Sequence, residues 1–241
     1  MILTAHQPVY LPWLGLFHKI MLADTFVSFN RVQYLPRDWN NRNRIKTPQG
    51  PMWLTVPVLR KGYLEKTIDQ IEINNSEPWQ RKHWRSIQHN YRSTPYYTRY
   101  SEFFEDVYRR DWRFLSQLND YMLHWFLETL GIKVAFLEAS SFEFTGTKSE
   151  LVLNMCEQLG ARCYVFGTLG REYVDVQSFE EVGIRAVFQE YRHPEYPQAH
   201  GSFVPHLSVI DLLFNCGESS LDVLMSGNTT RTELRRELGR V

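Results

Sequence analysis

The sequence has few cysteines, no net charge and no long apolar run, and each of these features argues against a class of proteins. Its three cysteines, Cys156, Cys163 and Cys216, form no CxxC pair, so we expect reduced thiols in a cytoplasmic protein. Lys plus Arg and Asp plus Glu both number 27, which gives no reason to expect nucleic acid as a partner. No apolar stretch reaches the length of a membrane span, and MILTAHQP lacks the basic region of a signal peptide.

Aromatic residues, by contrast, make up 15% of the 241 residues, and apolar segments with strand and helix periods alternate along the chain. The segments that predict strands are 2–7, 25–30, 53–58, 67–73, 132–138, 163–167 and 184–190. The segments that predict helices are 16–23, 76–91, 111–130, 147–160, 178–183 and 207–217. The signals at the helix starts include Ser76, a capping box at Thr147 and Glu150, and Ser208.

This order of elements predicts an α/β fold with a Rossmann-like, mostly parallel sheet and a helical insertion at about 76–131. We expect 53–58 and 67–73 to pair as strands through a Gly-containing turn. A single domain is expected over 1–225, followed by a polar C-terminal tail over 226–241. Ligands of such sheets bind at the carboxyl ends of the strands, so His6, the CYVFGTLG turn and the YPQ loop are expected to share one crevice.

The stretch AHQPVYLPWLGLFHKI, residues 5–20 and here called the opening segment, is unusually rigid and aromatic for a connection. Within it, His6 is a candidate general base, Gln7 offers an amide, and Tyr10 and Trp13 offer rings that stack on a ligand. Gly15 would let an anion approach the start of the next helix, and Lys19 would add positive charge. The alternative is that the rings only fill the core and the prolines only end a strand.

The segment NRNRIK places Arg42, Arg44 and Lys46 at alternating positions, on one face if the chain is extended. Guanidinium groups bind phosphate or carboxylate through two hydrogen bonds, so this segment is a candidate anion site. A solvated, charged loop is the alternative interpretation.

Four side chains near the C-terminal end are typical metal ligands, namely His193, Glu195, His200 and His206. Their spacing matches no known zinc pattern, so we predict no metal site. His206, just before a capped helix, is a candidate general base instead. Cys216 is either a nucleophile or, as we expect more, a small buried residue.

Several stretches together resemble the WbqC-like protein family, over roughly residues 2 to 225. They are HQPVYLPWLGLFHKIMLAD, VQY, NRNRIK, WLTVPV, YVFGTLGREYVD and YPQAHGSFVPHLSVIDLLFNCG. The resemblance implies a bacterial protein from surface-polysaccharide gene clusters, especially those for O-antigens with modified amino sugars. It implies a sugar-modifying transferase that adds an acyl or aminoacyl group to an amino sugar.

The residues that match the family's motifs are His6, Gln7, Tyr10, Trp13, Gly15, Lys19, Asp24, Arg42, Asn43, Lys46, Gly170, Tyr173, Asp175, Tyr196, Gln198, Ser208 and Asp211. The resemblance implies an Asp near position 30, where this chain has Asn30, so any role of that carboxylate is in doubt here. The resemblance also implies that Asn43, Tyr173 and Gln198 bind substrate, and that Asp24 and Asp211 orient other groups or cap helices.

The first strand, Gly-containing turn and helix are also similar to HxGH-type nucleotidyltransferases, in which the helix start holds ATP phosphates. The two-histidine signature is not intact here, although His18 lies near the place of the second histidine. This similarity keeps an adenylyl-transfer function open.

The sequence therefore predicts a cytoplasmic transferase, with His6, Lys19 and His206 as candidate catalytic residues. Its substrate would be a small molecule, such as a nucleotide-linked or lipid-linked amino sugar. The alternatives are an ATP-dependent adenylyltransferase or ligase and a non-catalytic carbohydrate-binding protein. The sequence names no cofactor and no oligomeric state.

Overall fold

Seven strands and nine helices make up the fold over residues 1–239, the part of the chain that the computed structural model describes. The strands are β1 (Ile2–His6), β2 (Thr25–Ser28), β3 (Arg42–Thr47), β4 (Gly50–Thr55), β5 (Ala135–Glu138), β6 (Cys163–Phe166) and β7 (Arg185–Phe188). The helices are α1 (Leu14–Met21), α2 (Trp79–Tyr91), α3 (Tyr97–Val107), α4 (Leu115–Thr129), α5 (Ser149–Gln158), α6 (Val176–Glu181), α7 (Val209–Cys216), α8 (Ser220–Met225) and α9 (Arg231–Leu238).

Five strands form one parallel sheet in the order β5-β2-β1-β6-β7. β2 and β5 therefore lie on one side of β1, and β6 and β7 lie on the other side, as in Rossmann-like folds. The strands are mostly apolar because both faces of a parallel sheet are covered. The predicted α/β fold class is confirmed.

Helices cover both faces of this sheet. On one face, Leu3 and Val27 pack with residues of α5 and α6, such as Met155 and Phe179. On the other face, Phe26 belongs to the large core that contains α1, α4 and α7. The central strands are therefore fixed from both sides, and only their ends are free to present polar groups.

The segment between β4 and β5 contains α2, α3 and α4, which is the predicted helical insertion. Pro78, rather than Ser76, is the residue before α2, and it makes no side-chain cap. At α5 the preceding residue is Lys148, and the capping box expected from Thr147 and Glu150 does not form; the Glu150 N–H donates to the Thr147 carbonyl. Ser208 does cap α7, because its side chain accepts a hydrogen bond from the Ile210 N–H.

The predicted pairing of 53–58 with 67–73 is limited to one antiparallel bridge, between Val58 and Ile73. The partner of β4 is β3, which is the arginine-rich segment, and the two form an antiparallel hairpin. Alternation explains the strand, because Asn43 and Ile45 are fully buried while Arg42 and Arg44 are half-buried on the other face. Residues 68–70 form a single 3₁₀ turn instead of a strand.

The C-terminal segment packs on the sheet as α9, up to the last described residue, Gly239. Leu234 is buried beside Ile2 and Val165, and the Arg235 side chain donates to Asp24 Oδ1 (2.5 Å). Positions 240–241 of the predicted tail lie outside the described residues. Across residues 1–239, every helix is too short or too polar to cross a lipid bilayer.

Candidate functional site

A cleft of about 700 Å³ lies at the carboxyl ends of the parallel strands. Its walls come from residues directly after β1, β2, β6 and β7, such as Gln7, Phe29, Gly167 and Gln189. The strand order reverses between β1 and β6, and this is where open α/β sheets bind ligands. The size also falls in the usual range for small-molecule sites.

The opening segment forms one wall of this cleft, through His6, Gln7, Val9, Trp13, Gly15, Leu16 and Lys19. Neighbouring segments hold its backbone in place at Pro8, Leu11 and Pro12. Asn40 Nδ2 donates to the Pro8 carbonyl (2.9 Å), and Asn43 Nδ2 donates to the Leu11 carbonyl (2.6 Å). The Val209 N–H donates to the Pro12 carbonyl (2.7 Å). These bonds fix Leu11 at a positive φ of 47°, a conformation that costs free energy for a residue with a side chain.

His6 is neutral in this cleft. Burial, together with the nearby Lys19 ammonium, lowers the pKa of His6 to about 3. Its Nδ1 lies 2.8 Å from the Gln7 carbonyl oxygen, which can only accept, so Nδ1 carries the hydrogen. His6 Nε2 therefore has a lone pair, and the imidazole is an acceptor at every physiological pH.

Lys19 is the group whose proton affinity matches neutral pH. Its side chain is only 5% exposed, and burial lowers the pKa of its ammonium to about 7. Lys19 Nζ donates to the Ala5 carbonyl (2.9 Å) at the end of β1. An amine poised near pH 7 can accept or donate a proton, which makes Lys19 better suited than His6 to act as a general base.

Two helix N-termini at the cleft favour an anionic ligand. Among the charged lining side chains within 1–239, Lys148 offsets Asp38, and Lys19 adds a positive charge only while it is protonated. Lys148 immediately precedes α5, and Gly15 lies in the first turn of α1, so two helix N-termini border the cleft. At Gly15, a Cβ atom would lie 3.0 Å from Trp13 Nε1, so the indole sits against bare backbone there.

A second part of the lining follows β6. The 167–170 turn and Tyr173 line the cleft, and Tyr173 is 44% exposed. Gly170 is needed for close packing, because a Cβ atom there would lie 2.7 Å from Phe166 Cβ. Two of the three predicted contributors, the opening segment and the CYVFGTLG turn, therefore converge as expected.

Tyr10, a predicted stacking residue, belongs to the core instead. It is fully buried, and its hydroxyl hydrogen-bonds His83 Nδ1 (2.8 Å) and the Tyr108 hydroxyl. Its ring anchors the opening segment to the helical insertion. For Tyr10, the core-filling interpretation is correct.

Arg42 and Gln198 do not line the cleft with His6 and Tyr173, so the expected contribution of the YPQ loop is not seen. Arg42 lies on the β3–β4 hairpin with its guanidinium 4.5 Å from the centre of the Trp53 ring. Asn43 points to the buried face of the hairpin, where it binds Leu11 as described above. The sequence could not show that the β3–β4 hairpin places Arg42 outside the cleft lining.

Lys46, Gln198 and Asp211 form a second buried polar cluster, outside the cleft lining. Lys46 Nζ donates to Gln198 Oε1 (2.9 Å), and Gln198 Nε2 donates to Asp211 Oδ2 (2.7 Å). Asp211 also accepts from the hydroxyls of Tyr91 (2.8 Å) and Tyr196 (2.9 Å). This cluster joins β3, α2, α7 and the loop that carries Gln198.

The remaining predicted residues also lie away from the cleft. Asp24 is at the opposite end of the sheet, where Oδ2 accepts from the Ile2 N–H (2.9 Å). His206 is exposed beside the hairpin, and its carbonyl accepts from Arg44 (3.2 Å). His18 is fully buried, where Nε2 donates to the Thr229 carbonyl (3.0 Å) and Nδ1 accepts from Gln189 (2.8 Å). Burial raises the pKa of the Cys216 thiol to about 11, which makes it a poor nucleophile.

Typical metal-binding side chains are not grouped in the described structure. Within residues 1–239, no three His, Cys, Asp or Glu side chains lie close enough together to hold a metal ion. Of the predicted histidines in this region, His193 and His206 lie close together, with ring centres 5.0 Å apart.

Several cleft residues were not predicted, among them Trp39, Asn40, Lys148 and Gln189. Gln189 had a signal, because it directly follows β7 as Gln7 follows β1. No sequence pattern indicated Trp39 and Asn40. They lie on a loop whose position beside the opening segment depends on tertiary contacts, such as the hydrogen bond from the Tyr10 N–H to the Trp39 carbonyl (3.2 Å).

Comparison with known proteins shows similarity to a protein family and to an uncharacterized protein. The sequence profile of the WbqC-like protein family matches residues 7–223. The uncharacterized protein Rv1507c of Mycobacterium tuberculosis is 36% identical over 220 residues, which cover 90% of this chain and 95% of that protein. No solved structure matches the chain.

Proposed function

The chain belongs to the WbqC-like protein family, and from that premise we propose that it is a transferase that adds an acyl or aminoacyl group to an amino sugar during surface-polysaccharide biosynthesis. The observation that carries the proposal is the pairing of Lys19, whose pKa is about 7, with a neutral His6 in the cleft. Acyl transfer to an amine needs a group that removes a proton near neutral pH.

In the proposed reaction, the amino nitrogen of the sugar attacks the carbonyl carbon of an activated acyl donor such as a thioester. A nitrogen–carbon bond forms, the carbon–sulfur bond breaks, and the sulfur leaves with the electron pair. The neutral Lys19 amine takes the proton that the attacking nitrogen loses and then returns it to the leaving thiolate. His6 Nε2 accepts a hydrogen bond from the amine and holds its lone pair toward the donor.

The other lining side chains suit a sugar. Gln7, Thr168 and Tyr173 offer hydrogen bonds to hydroxyl groups, and Trp13 offers a ring face for the apolar face of the sugar. Lys148 and the two helix N-termini attract negative charge on either substrate. The buried free cysteines suit the cytoplasm, where activated sugars and thioesters are made.

The test is a thermal-shift screen of the intact protein against nucleoside diphosphate amino sugars, acyl thioesters, and ATP with Mg²⁺, followed by turnover assays on the ligands that bind. We expect the first two classes to raise Tm, since a ligand stabilises the state that it binds. Lys19→Ala should lower turnover about a hundredfold. Lys82→Ala, which removes an exposed lysine on α2, is the matched control and should have no effect.

Stabilisation without turnover in any pairing would instead support a carbohydrate-binding protein. Adenylyl transfer is the second candidate function, because the cleft borders the N-terminus of α1 as an ATP phosphate site would. Against it, His18 is committed to Gln189 and Thr229 and does not line the cleft. Stabilisation by ATP with Mg²⁺ alone would favour this second candidate over the sugar transferase.

A further inference from the structure

A ladder of tryptophan rings leads from the cleft to the protein surface. The rings of His6 and Trp13 are 5.4 Å apart, those of Trp13 and Trp39 are 5.7 Å apart, and those of Trp39 and Trp53 are 5.5 Å apart. Trp13 and Trp39 line the cleft, whereas Trp53, on β4, is 44% exposed. The aromatic surface is therefore continuous from His6 to the hairpin.

Two arginines of β3 lie against the outermost ring. The guanidinium carbon of Arg42 is 4.5 Å from the centre of the Trp53 ring, and that of Arg44 is 5.6 Å from it. Arg44 is also the residue directly opposite Trp53 in the hairpin register. Stacking of this kind holds the charged groups in a fixed place beside the ring.

Neither arginine is neutralised by an acidic side chain in the described structure. Among residues 1–239, Arg42 and Arg44 form no salt bridge, and each donates one side-chain hydrogen bond to a backbone carbonyl, of Arg37 and His206 respectively. Asp38, the nearest acid in sequence, accepts a hydrogen bond from the Trp39 N–H with its Oδ1 (2.7 Å). Two positioned guanidinium groups thus keep donors for an anion.

These side chains are not what attaches the hairpin to the core. Its other face carries Asn43, Ile45 and Leu54, which are buried, and these residues already attach the hairpin to the core. Trp53 and the arginines extend the opposite face, where the ring stays 44% exposed although its cross-strand pair with Arg44 adds some stability. An exposed aromatic ring beside two guanidinium groups suits a ligand that combines a ring with phosphate.

We propose that Trp39, Trp53, Arg42 and Arg44 form an outer subsite of the cleft, which binds the diphosphate that links a sugar to its carrier. This inference rests on the proposed function, since it assumes that the sugar occupies the inner cleft at His6 and Lys19. The diphosphate lies between the two guanidinium groups, and the first group of the carrier stacks on Trp53. The carrier is either a nucleoside or a lipid, because both are joined to sugars through the same diphosphate.

The experiment measures binding by isothermal titration calorimetry with four probes on the full chain. The probes are inorganic pyrophosphate, UDP, UDP-N-acetylglucosamine and farnesyl-diphosphate-linked N-acetylglucosamine. The variants are Arg42→Ala/Arg44→Ala and Trp53→Ala. The matched control is Arg81→Ala/Arg85→Ala, which removes two exposed arginines of α2 that form no salt bridge among residues 1–239.

We expect the Arg42/Arg44 double variant to bind all four probes at least tenfold more weakly than wild type, and the control to bind them normally. Trp53→Ala should weaken the probes that have a carrier group more than it weakens pyrophosphate, which loses only the ordering of the two guanidinium groups. Tighter binding of UDP-N-acetylglucosamine than of the farnesyl compound identifies a nucleotide carrier, and the reverse order identifies a lipid carrier. Far-ultraviolet circular dichroism confirms that each variant is folded.

Unchanged binding in the folded double variant, or no binding of any probe by the wild-type protein, would overturn the outer subsite. The proposed function is judged separately, by turnover. If the double variant loses binding while no acyl transfer is found, the outer subsite stands and the transferase fails. If Lys19→Ala abolishes turnover while the double variant binds normally, the transferase stands and the outer subsite fails.

Discussion

At the scale of single residues, burial rather than residue type decides which groups of the cleft can do chemistry. By its type, His6 is the natural base near neutral pH, but burial and Lys19 lower its pKa to about 3. Lys19 would be fully charged in water, and burial brings its pKa to about 7. In the proposed reaction, the amine of Lys19 rather than the imidazole of His6 therefore accepts the proton.

This gives a prediction for the pH dependence of turnover. The base is active when Lys19 is neutral, so kcat/KM should rise with pH and level off above an apparent pKa of about 7. Lys19→Arg, which stays charged, should lose about a hundredfold in kcat/KM. In His6→Gln, kcat/KM should still rise with pH around an apparent pKa of about 7. A profile that instead falls above pH 7, with Lys19→Arg fully active, would show that Lys19 only binds an anion.

A second residue-scale prediction concerns Asp120, on α4. Burial raises its pKa to about 7, although Ser28 Oγ donates to Oδ1 (2.8 Å). A carboxyl whose pKa is raised in the folded state contributes stability that is present below its unfolded pKa of 3.8 and is lost as the pH rises through 7. Between pH 4 and 7, this loss is on the order of 4 kcal/mol.

Asp120→Asn keeps the shape and cannot ionise, so its free energy of unfolding should vary less between pH 4 and 7 than that of wild type. Urea unfolding at several pH values measures the difference. Parallel curves for the two proteins would mean that Asp120 ionises normally in the folded state.

At the scale of elements, the opening segment combines a packed side and a ligand-facing side. Tyr10 and Leu11 are fully buried, while His6 and Trp13 face the cleft. Two variants separate these contributions. Trp13→Ala should lower the free energy of unfolding by about 2–3 kcal/mol and also weaken ligand binding, because a large ring is lost.

Gly15→Ala should mainly affect binding. Its Cβ atom would lie 3.0 Å from Trp13 Nε1 and 3.2 Å from Tyr191 Cδ1, so the Trp13 ring must shift. We expect about tenfold weaker ligand binding with less than about 1 kcal/mol of lost stability. The comparison uses calorimetry for binding and urea unfolding for stability. A Gly15→Ala protein with wild-type affinity would show that the position of the indole is unimportant.

The Asp211 cluster joins four elements, and its loss should destabilise the fold. Asp211→Ala leaves the Tyr91 and Tyr196 hydroxyls and Gln198 without their acceptor, so we expect a loss of about 3 kcal/mol. Asp211→Asn keeps an acceptor oxygen and should lose less. Asp222→Ala, at an exposed position of α8, is the control for urea unfolding. Equal stability of Asp211→Ala and the control would contradict a structural role.

The local sequence pattern predicted most helices and strands, but it did not predict which elements pack or pair with one another. The strands of the parallel sheet and the cap of α7 by Ser208 follow from apolar runs and turn residues near them in the sequence. The pairing of β3 with β4 could not be predicted in this way. The segment NRNRIK is so rich in charge that it resembles a loop, although its alternate residues Asn43 and Ile45 are buried. Glutamine often binds ligands, which made Gln198 a candidate. Only the tertiary structure shows that its side-chain amide hydrogen-bonds Lys46 and Asp211 instead.

At the scale of the whole molecule, the strand order determines where the site lies. β1 is central, and the reversal of order beside it brings the residues after four strands to one cleft. The opening segment then closes one side, and the β3–β4 hairpin extends the surface outward through the tryptophan ladder. The central claim is that this cleft is where the protein binds its substrate.

Hydrogen–deuterium exchange with and without the nucleoside diphosphate amino sugar that raises Tm most tests this claim directly. We expect slower exchange in residues 5–19 and 167–173 of the two cleft walls, with no change in the loop around Gln198. Protection confined to the Gln198 loop and the C-terminal end of the chain, with the opening segment unaffected, would contradict the account.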